Sequence, residues 1–158
     1  MNIEVVSSSG EGPTELAAFD KALVNAGVAN FNLLYLSSVI PPESNVFKKP
    51  SASKINAQWG DKLYVVMAQA RTSQIHQEAW AGIGWVQDIK SGRGLLVEHE
   101  GHYDEEVREN ITKSLGALAI NREMEFGPIN MSVSGIKCMS ESVCALVVAV
   151  FETEGWKS

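Results

Sequence analysis

The chain has 158 residues, 45% of them apolar, with a net charge of -6. That length suits one domain with a core large enough to need no disulfide staples. The acidic balance argues against sequence-blind nucleic-acid binding, which needs clustered Lys and Arg, and the apolar content argues against disorder.

Residues 3–8 are β-branched and weakly alternating, so the pattern predicts a strand. Gly10, Gly12 and Pro13 predict a turn, and Thr14 an N-cap with Glu15 in the positive first turn. Leu16, Phe19, Leu23 and Ala26 recur at helical spacing and Gly27 is a natural stop, which predicts a helix over 15–26. Residues 31–40 read as the next strand, halted by Pro41-Pro42. Residues 43–60 are polar and aperiodic, and read as a loop. Strands are expected over 63–70, 78–89 and 94–100, with Gly82 and Gly84 marking a bulge or a close backbone approach. Asp104, Glu105 and Glu106 open a second helix with the stripe Val107, Ile111, Leu115 and Leu118, ending near 124–126. Residues 129–139 and 142–152 close the chain as strands. The simplest layered solution is an α+β fold: a four-layer αββα sandwich, two packed sheets with a helix on each outer face.

Cys138 and Cys144 lie in apolar surroundings and read as buried free thiols. The first nine residues lack a basic segment and a long apolar run, and no stretch reaches membrane-spanning length. The expectation is a cytoplasmic protein with no membrane partner. Glu98, His99, Glu100, His102 and Asp104 cluster as metal ligands do, but polar strand-to-helix junctions look the same, and no metal is expected. Gly82-Ile83-Gly84 lacks the third glycine of a dinucleotide loop. Trp59, Trp80 and Trp85 read as core or interface residues rather than base-stacking platforms.

The segment Asn30-Phe31-Asn32-Leu33-Leu34-Tyr35-Leu36-Ser37-Ser38-Val39-Ile40-Pro41-Pro42 carries the most information. Taken alone it also reads as a strand end with two hydroxyls at a turn. In context it resembles the processing segment of the pyruvoyl-dependent arginine decarboxylases. The likeness extends through Ser8 to Gly12, Ala18 to Leu23, Asn25-Ala26-Gly27 and Gly94 to Gly101.

The resemblance implies one domain, 1–158, that cuts itself between Ser37 and Ser38 into a short chain (1–37) and a longer one (38–158). Ser38 would become a covalent pyruvoyl group, with no pyridoxal phosphate. Its ketone forms an imine with the substrate amine and takes up the charge that decarboxylation leaves on Cα. Asn32 matches the position implicated in processing, where its amide would polarise the Ser37 carbonyl; alone it reads equally as a strand-end polar residue. Glu98 matches the proton donor. It follows Leu95-Leu96-Val97, and desolvation on such a strand favours the protonated carboxyl. Alternation places it with Leu96 and Glu100, which reads as well as an outward face. Asp20 matches the partner of the substrate guanidinium, a bidentate charge-assisted pair; alone it reads as a solvated acid. A homotrimer with sites between protomers is also implied. The expected activity is conversion of L-arginine to agmatine and CO2. A pyruvoyl decarboxylase for another amino acid such as histidine, and an uncleaved homologue serving in binding or assembly, remain alternatives.

Overall fold

The computed structural model describes residues 1–157. In chain order the elements are β1 (Asn2–Gly12), α1 (Glu15–Ala26), β2 (Asn32–Tyr35), β3 (Val39–Ile40), β4 (Asn45–Lys49), β5 (Lys62–Thr72), β6 (Glu78–Gln87), β7 (Gly94–Gly101), α2 (Asp104–Asn121), β8 (Asn130–Lys137) and β9 (Ser142–Glu154). They form a five-stranded sheet ordered β2-β5-β9-β1-β4 and a four-stranded sheet ordered β3-β7-β6-β8. Three apolar layers hold these together. Ile3, Val5, Val66 and Val147 meet Ile83, Trp85 and Leu96 between the sheets. Val6, Leu63, Val65 and Leu146, on the other face of the five-stranded sheet, pack under α1. Val86, Leu95 and Val97 pack under Val107, Ile111 and Leu115 of α2. The fold is the expected αββα sandwich.

The first helix starts and stops where local chemistry dictates. Thr14 Oγ1 accepts from the Ala17 N–H at 3.1 Å, and Gly27 turns left-handed at φ 85°. Its buried stripe differs from the predicted one: Ala18 and Ala22 join Leu23 and Ala26, while Leu16 is 68% exposed. Gly10 explains this. It lies within β1 rather than a turn, and a Cβ there would stand 2.5 Å from the Ala18 carbonyl oxygen and the Ala22 nitrogen. The helix therefore rests on bare backbone, which only small residues permit. Gly82 and Gly84 mark the close approach expected of them, with Ile111 of α2 lying against both.

Other boundaries are corrected. The expected loop 43–60 contains β4, which pairs parallel to β1 from Asn2↔Asn45 to Val6↔Lys49. The strand expected over 78–89 ends at Gln87, and Ile89 is exposed. Helix α2 stops at Asn121, because Glu123 takes a left-handed φ of 51° that breaks the hydrogen-bond ladder. Trp85 is buried and Trp80 partly so, but Trp59 is 84% exposed and belongs to no core. Cys138 and Cys144 are buried free thiols, and burial pushes the Cys144 thiol up to about 11. No helix among the described residues is long and apolar enough to cross a membrane.

The most consequential correction falls on 31–40. This is two strands in different sheets. β2 runs parallel to β5, from Asn32↔Lys62 to Tyr35↔Val65. β3 pairs antiparallel to β7 through Val39↔Leu95 and Ile40↔Gly94. The Leu36 N–H still donates to the Val65 carbonyl, and two residues later the Ser38 carbonyl accepts from the Leu96 N–H. The chain changes sheets at Ser37-Ser38.

Candidate active site

Ser38 makes the crossing with φ 69°, in the left-handed region. For a residue with a Cβ this conformation costs about 1–2 kcal/mol. Its carbonyl is bonded into β7 at 2.9 Å, and the rigid Pro41-Pro42 follows β3. The serine is pinned on both sides in a conformation it does not favour, and is 9% exposed.

Glu98 stands against it. Its Oε2 and Oε1 accept from Ser38 Oγ at 2.9 and 3.2 Å. β7 supplies Glu98 opposite Ile83 of β6, just beyond the strand's buried run of Gly94 to Val97. The sequence-based expectation that this run would bury Glu98 fails within one chain. Burial ends at Val97, and Glu98 is exposed apart from its contact with Ser38.

Two cavities meet at Glu98. One, of about 500 Å³, is lined by Ser37, Ser38, Glu98, His99, Ser114 and Arg122 among others. The second, of about 420 Å³, is lined by Tyr35, Met67, Gln69, Glu98 and Glu100 among others. Partial burial of the Tyr35 ring raises its phenol above the usual value, against the pull of Arg71.

The other predicted residues lie elsewhere. Asn32 is exposed, and its Nδ2 donates to the Gly60 carbonyl at 2.7 Å rather than to that of Ser37. Asp20 sits on the exposed side of α1 and lines neither cavity. The acid and histidine cluster is split: His99 of β7 has Nε2 at 2.7 Å from Ser114 Oγ, while His102, in the bend after β7, has Nδ1 at 3.1 Å from the Glu78 carbonyl oxygen. Among the described residues, no three His, Cys, Asp or Glu side chains converge. Ser114 and Arg122 were not singled out from the sequence. Their signal was there: 114 and 122 lie one turn before and one turn after Leu118, the last residue of the apolar stripe.

A family model described as pyruvoyl-dependent arginine decarboxylase matches residues 2–155. The chain belongs to this family. A family member from Archaeoglobus fulgidus, pyruvoyl-dependent arginine decarboxylase 2, is 30% identical over 147 residues, 92% of each chain. The pyruvoyl-dependent arginine decarboxylase of Methanocaldococcus jannaschii is 30% identical over 119 residues, 73% of this chain and 68% of that one. That of Halobacterium salinarum is 41% identical over 83 residues, so the match spans about half of each protein (52% and 51%). Membership bears on the geometry: a family that depends on a pyruvoyl group needs a residue to carry one, and the pinned serine is a chemically suitable precursor.

Proposed function

We propose that the chain processes itself at Ser37-Ser38 and then decarboxylates L-arginine to agmatine and CO2. One observation carries this reading: Ser38 Oγ is hydrogen-bonded to a carboxylate while its backbone is held in a strained left-handed turn.

In the processing reaction Glu98 takes the hydroxyl proton, and Oγ attacks the carbonyl carbon of Ser37. Glu98 passes that proton to the nitrogen of residue 38 as the peptide C–N bond breaks, which relieves the turn and leaves an ester between Ser37 and the Ser38 side chain, with a free amine on residue 38 and Glu98 again a carboxylate. Elimination and hydrolysis then release ammonia and leave a ketone at residue 38. The residues around Ser38 fit such a group. They line an open cavity at its position with an acid beside it, and β7 holds its backbone carbonyl through the Leu96 N–H.

A ketone there supplies an electron sink for the charge left on Cα when CO2 departs. The remaining work falls to the side chains. Leu95 and Val97, which line the cavity with Leu118, provide an apolar wall, which favours loss of a charged carboxylate as neutral CO2. Glu98 holds the proton delivered to Cα, from the position where it earlier accepted the one from Ser38. Asp20 pairs with the substrate guanidinium. Since Asp20 lines neither cavity of its own chain, it serves a neighbour's site in this reading. That accords with the trimer implied by the sequence resemblance.

Denaturing mass spectrometry of the purified protein tests the reading. Two fragments, 1–37 and 38–158, are expected, with phenylhydrazine labelling the longer one. The Ser38→Ala chain is expected to stay whole and unlabelled. A Ser38→Ala chain that still splits at this bond refutes the assignment. Release of CO2 assayed across the amino acids identifies the substrate.

A further inference from the structure

Cleavage creates two new groups, and the proposed function uses only one. The other is the carboxyl group of Ser37. It is freed when the ester is eliminated: the Cα proton of residue 38 passes to Glu98 or water, the Cβ–Oγ bond breaks, and its electron pair stays on oxygen. Residue 38 is left as dehydroalanine and Ser37 departs as a carboxylate carrying both oxygens. The leaving group thus gains a full negative charge in a cavity that already holds the carboxyl group of Glu98. Two carboxylates sharing one cavity disfavour each other.

A cation lines that cavity. Arg122 is the one Lys or Arg among its lining residues, which also include Ser37 and Ser38. It sits where α2 ends, and its Nη1 donates to the Leu118 carbonyl at 3.3 Å. That bond steadies the head against the last turn and uses one of five N–H donors. The others are free to meet both oxygens of a carboxylate in a fork. We propose that Arg122 receives the Ser37 carboxylate as it leaves, making it a processing residue for the elimination step, and afterwards holds it as the end of the short chain. The assignment rests on the proposed self-cleavage, and gives α2 a part in it.

The test separates the two steps. Ester and amide precursors are distinguished by hydroxylamine, which cuts the ester to give a Ser37 hydroxamate and a fragment beginning with serine. Freshly made wild type, Arg122→Gln, Arg122→Lys and Lys113→Gln are followed over time by denaturing mass spectrometry. Lys113 is an exposed cation of the same helix outside the cavity, so its variant controls for net charge. Arg122 is itself exposed, so neither of its substitutions disturbs a core. Arg122→Gln is expected to accumulate hydroxylamine-sensitive ester and to form the ketone roughly ten- to hundredfold more slowly, the loss of one charge-assisted interaction. Arg122→Lys should recover part of the rate, and Lys113→Gln should match wild type. Ketone formation in Arg122→Gln at the wild-type rate overturns the proposal. So does slow formation without ester, which would place the arginine before the acyl shift. A wild-type chain that forms neither ester nor ketone sinks the self-cleavage reading itself, and is recognised because every variant then behaves alike.

Discussion

Ser38 and Glu98 are 60 positions apart and in hydrogen-bond contact. In the proposed processing the contact gives Glu98 a task before any substrate arrives, because a hydroxyl is a poor nucleophile until its proton has somewhere to go. Glu98→Gln keeps the shape of the side chain and removes its basicity. Self-cleavage in that variant is expected to slow by about 10²–10⁴-fold, the usual contribution of a positioned general base. The fraction of intact chain on denaturing gels over hours checks this, and splitting at the wild-type rate would remove Glu98 from the processing step. Both residues stood out in the sequence, through a family motif rather than through their own environment. The left-handed φ of Ser38 was not legible there, and alternation left the exposure of Glu98 as one of two readings. Each depends on which strand lies alongside, and pairing partners far apart in the chain leave no local trace.

The elements that place these residues meet glycine backbone more closely than a periodic pattern can show. Ile111 lies against Gly84, where an added Cβ would overlap its side chain and crowd Leu115 Cδ1 at 3.2 Å. Gly84→Ala is therefore expected to destabilise the protein by about 1–3 kcal/mol through overpacking. Gly116, on α2, is the opposite case, since a Cβ added there would meet nothing within 4 Å. Gly116→Ala is expected to stabilise by roughly 0.5–1 kcal/mol, because alanine loses less backbone freedom on entering a helix. Thermal unfolding of both variants reads the two signs; a Gly84→Ala melt unchanged from wild type would contradict the close approach. The stripe of α2 through Val107, Ile111 and Leu115 was readable from spacing, since one helix on one sheet obeys a single period. The break at 36–38 was not. Both halves of the segment are apolar and extended, and no residue before Pro41 signals a change of partner.

At the scale of the molecule, the placement of Asp20 is the open end of the design. It lies on α1 over the five-stranded sheet, whereas Ser38 joins β7 of the other. In the proposed function the substrate spans both, with Asp20 and Ser38 drawn from different copies. Mixing tests this directly. Ser38→Ala protomers lack the ketone and Asp20→Asn protomers lack the guanidinium partner, so each alone should be nearly inactive on arginine. Mixed assemblies reformed from the two should regain activity, because an Asp20→Asn protomer can borrow Asp20 from a Ser38→Ala neighbour. Mixtures no more active than their components would place both residues of a working site in one chain.

By itself the sequence determined the αββα layering and the extent of the first helix. Apolar periodicity and capping are local, and a sheet buried on both faces must be covered. Through its motif it also singled out the bond between Ser37 and Ser38. Only the tertiary structure decided that this bond lies where the chain passes from one sheet to the other, that a carboxylate from a distant strand receives the serine hydroxyl, and that an arginine at the end of α2 shares the cavity. Those facts arise from β pairing and helix packing between remote segments, whose geometry exists only once the whole chain has closed around its three apolar layers.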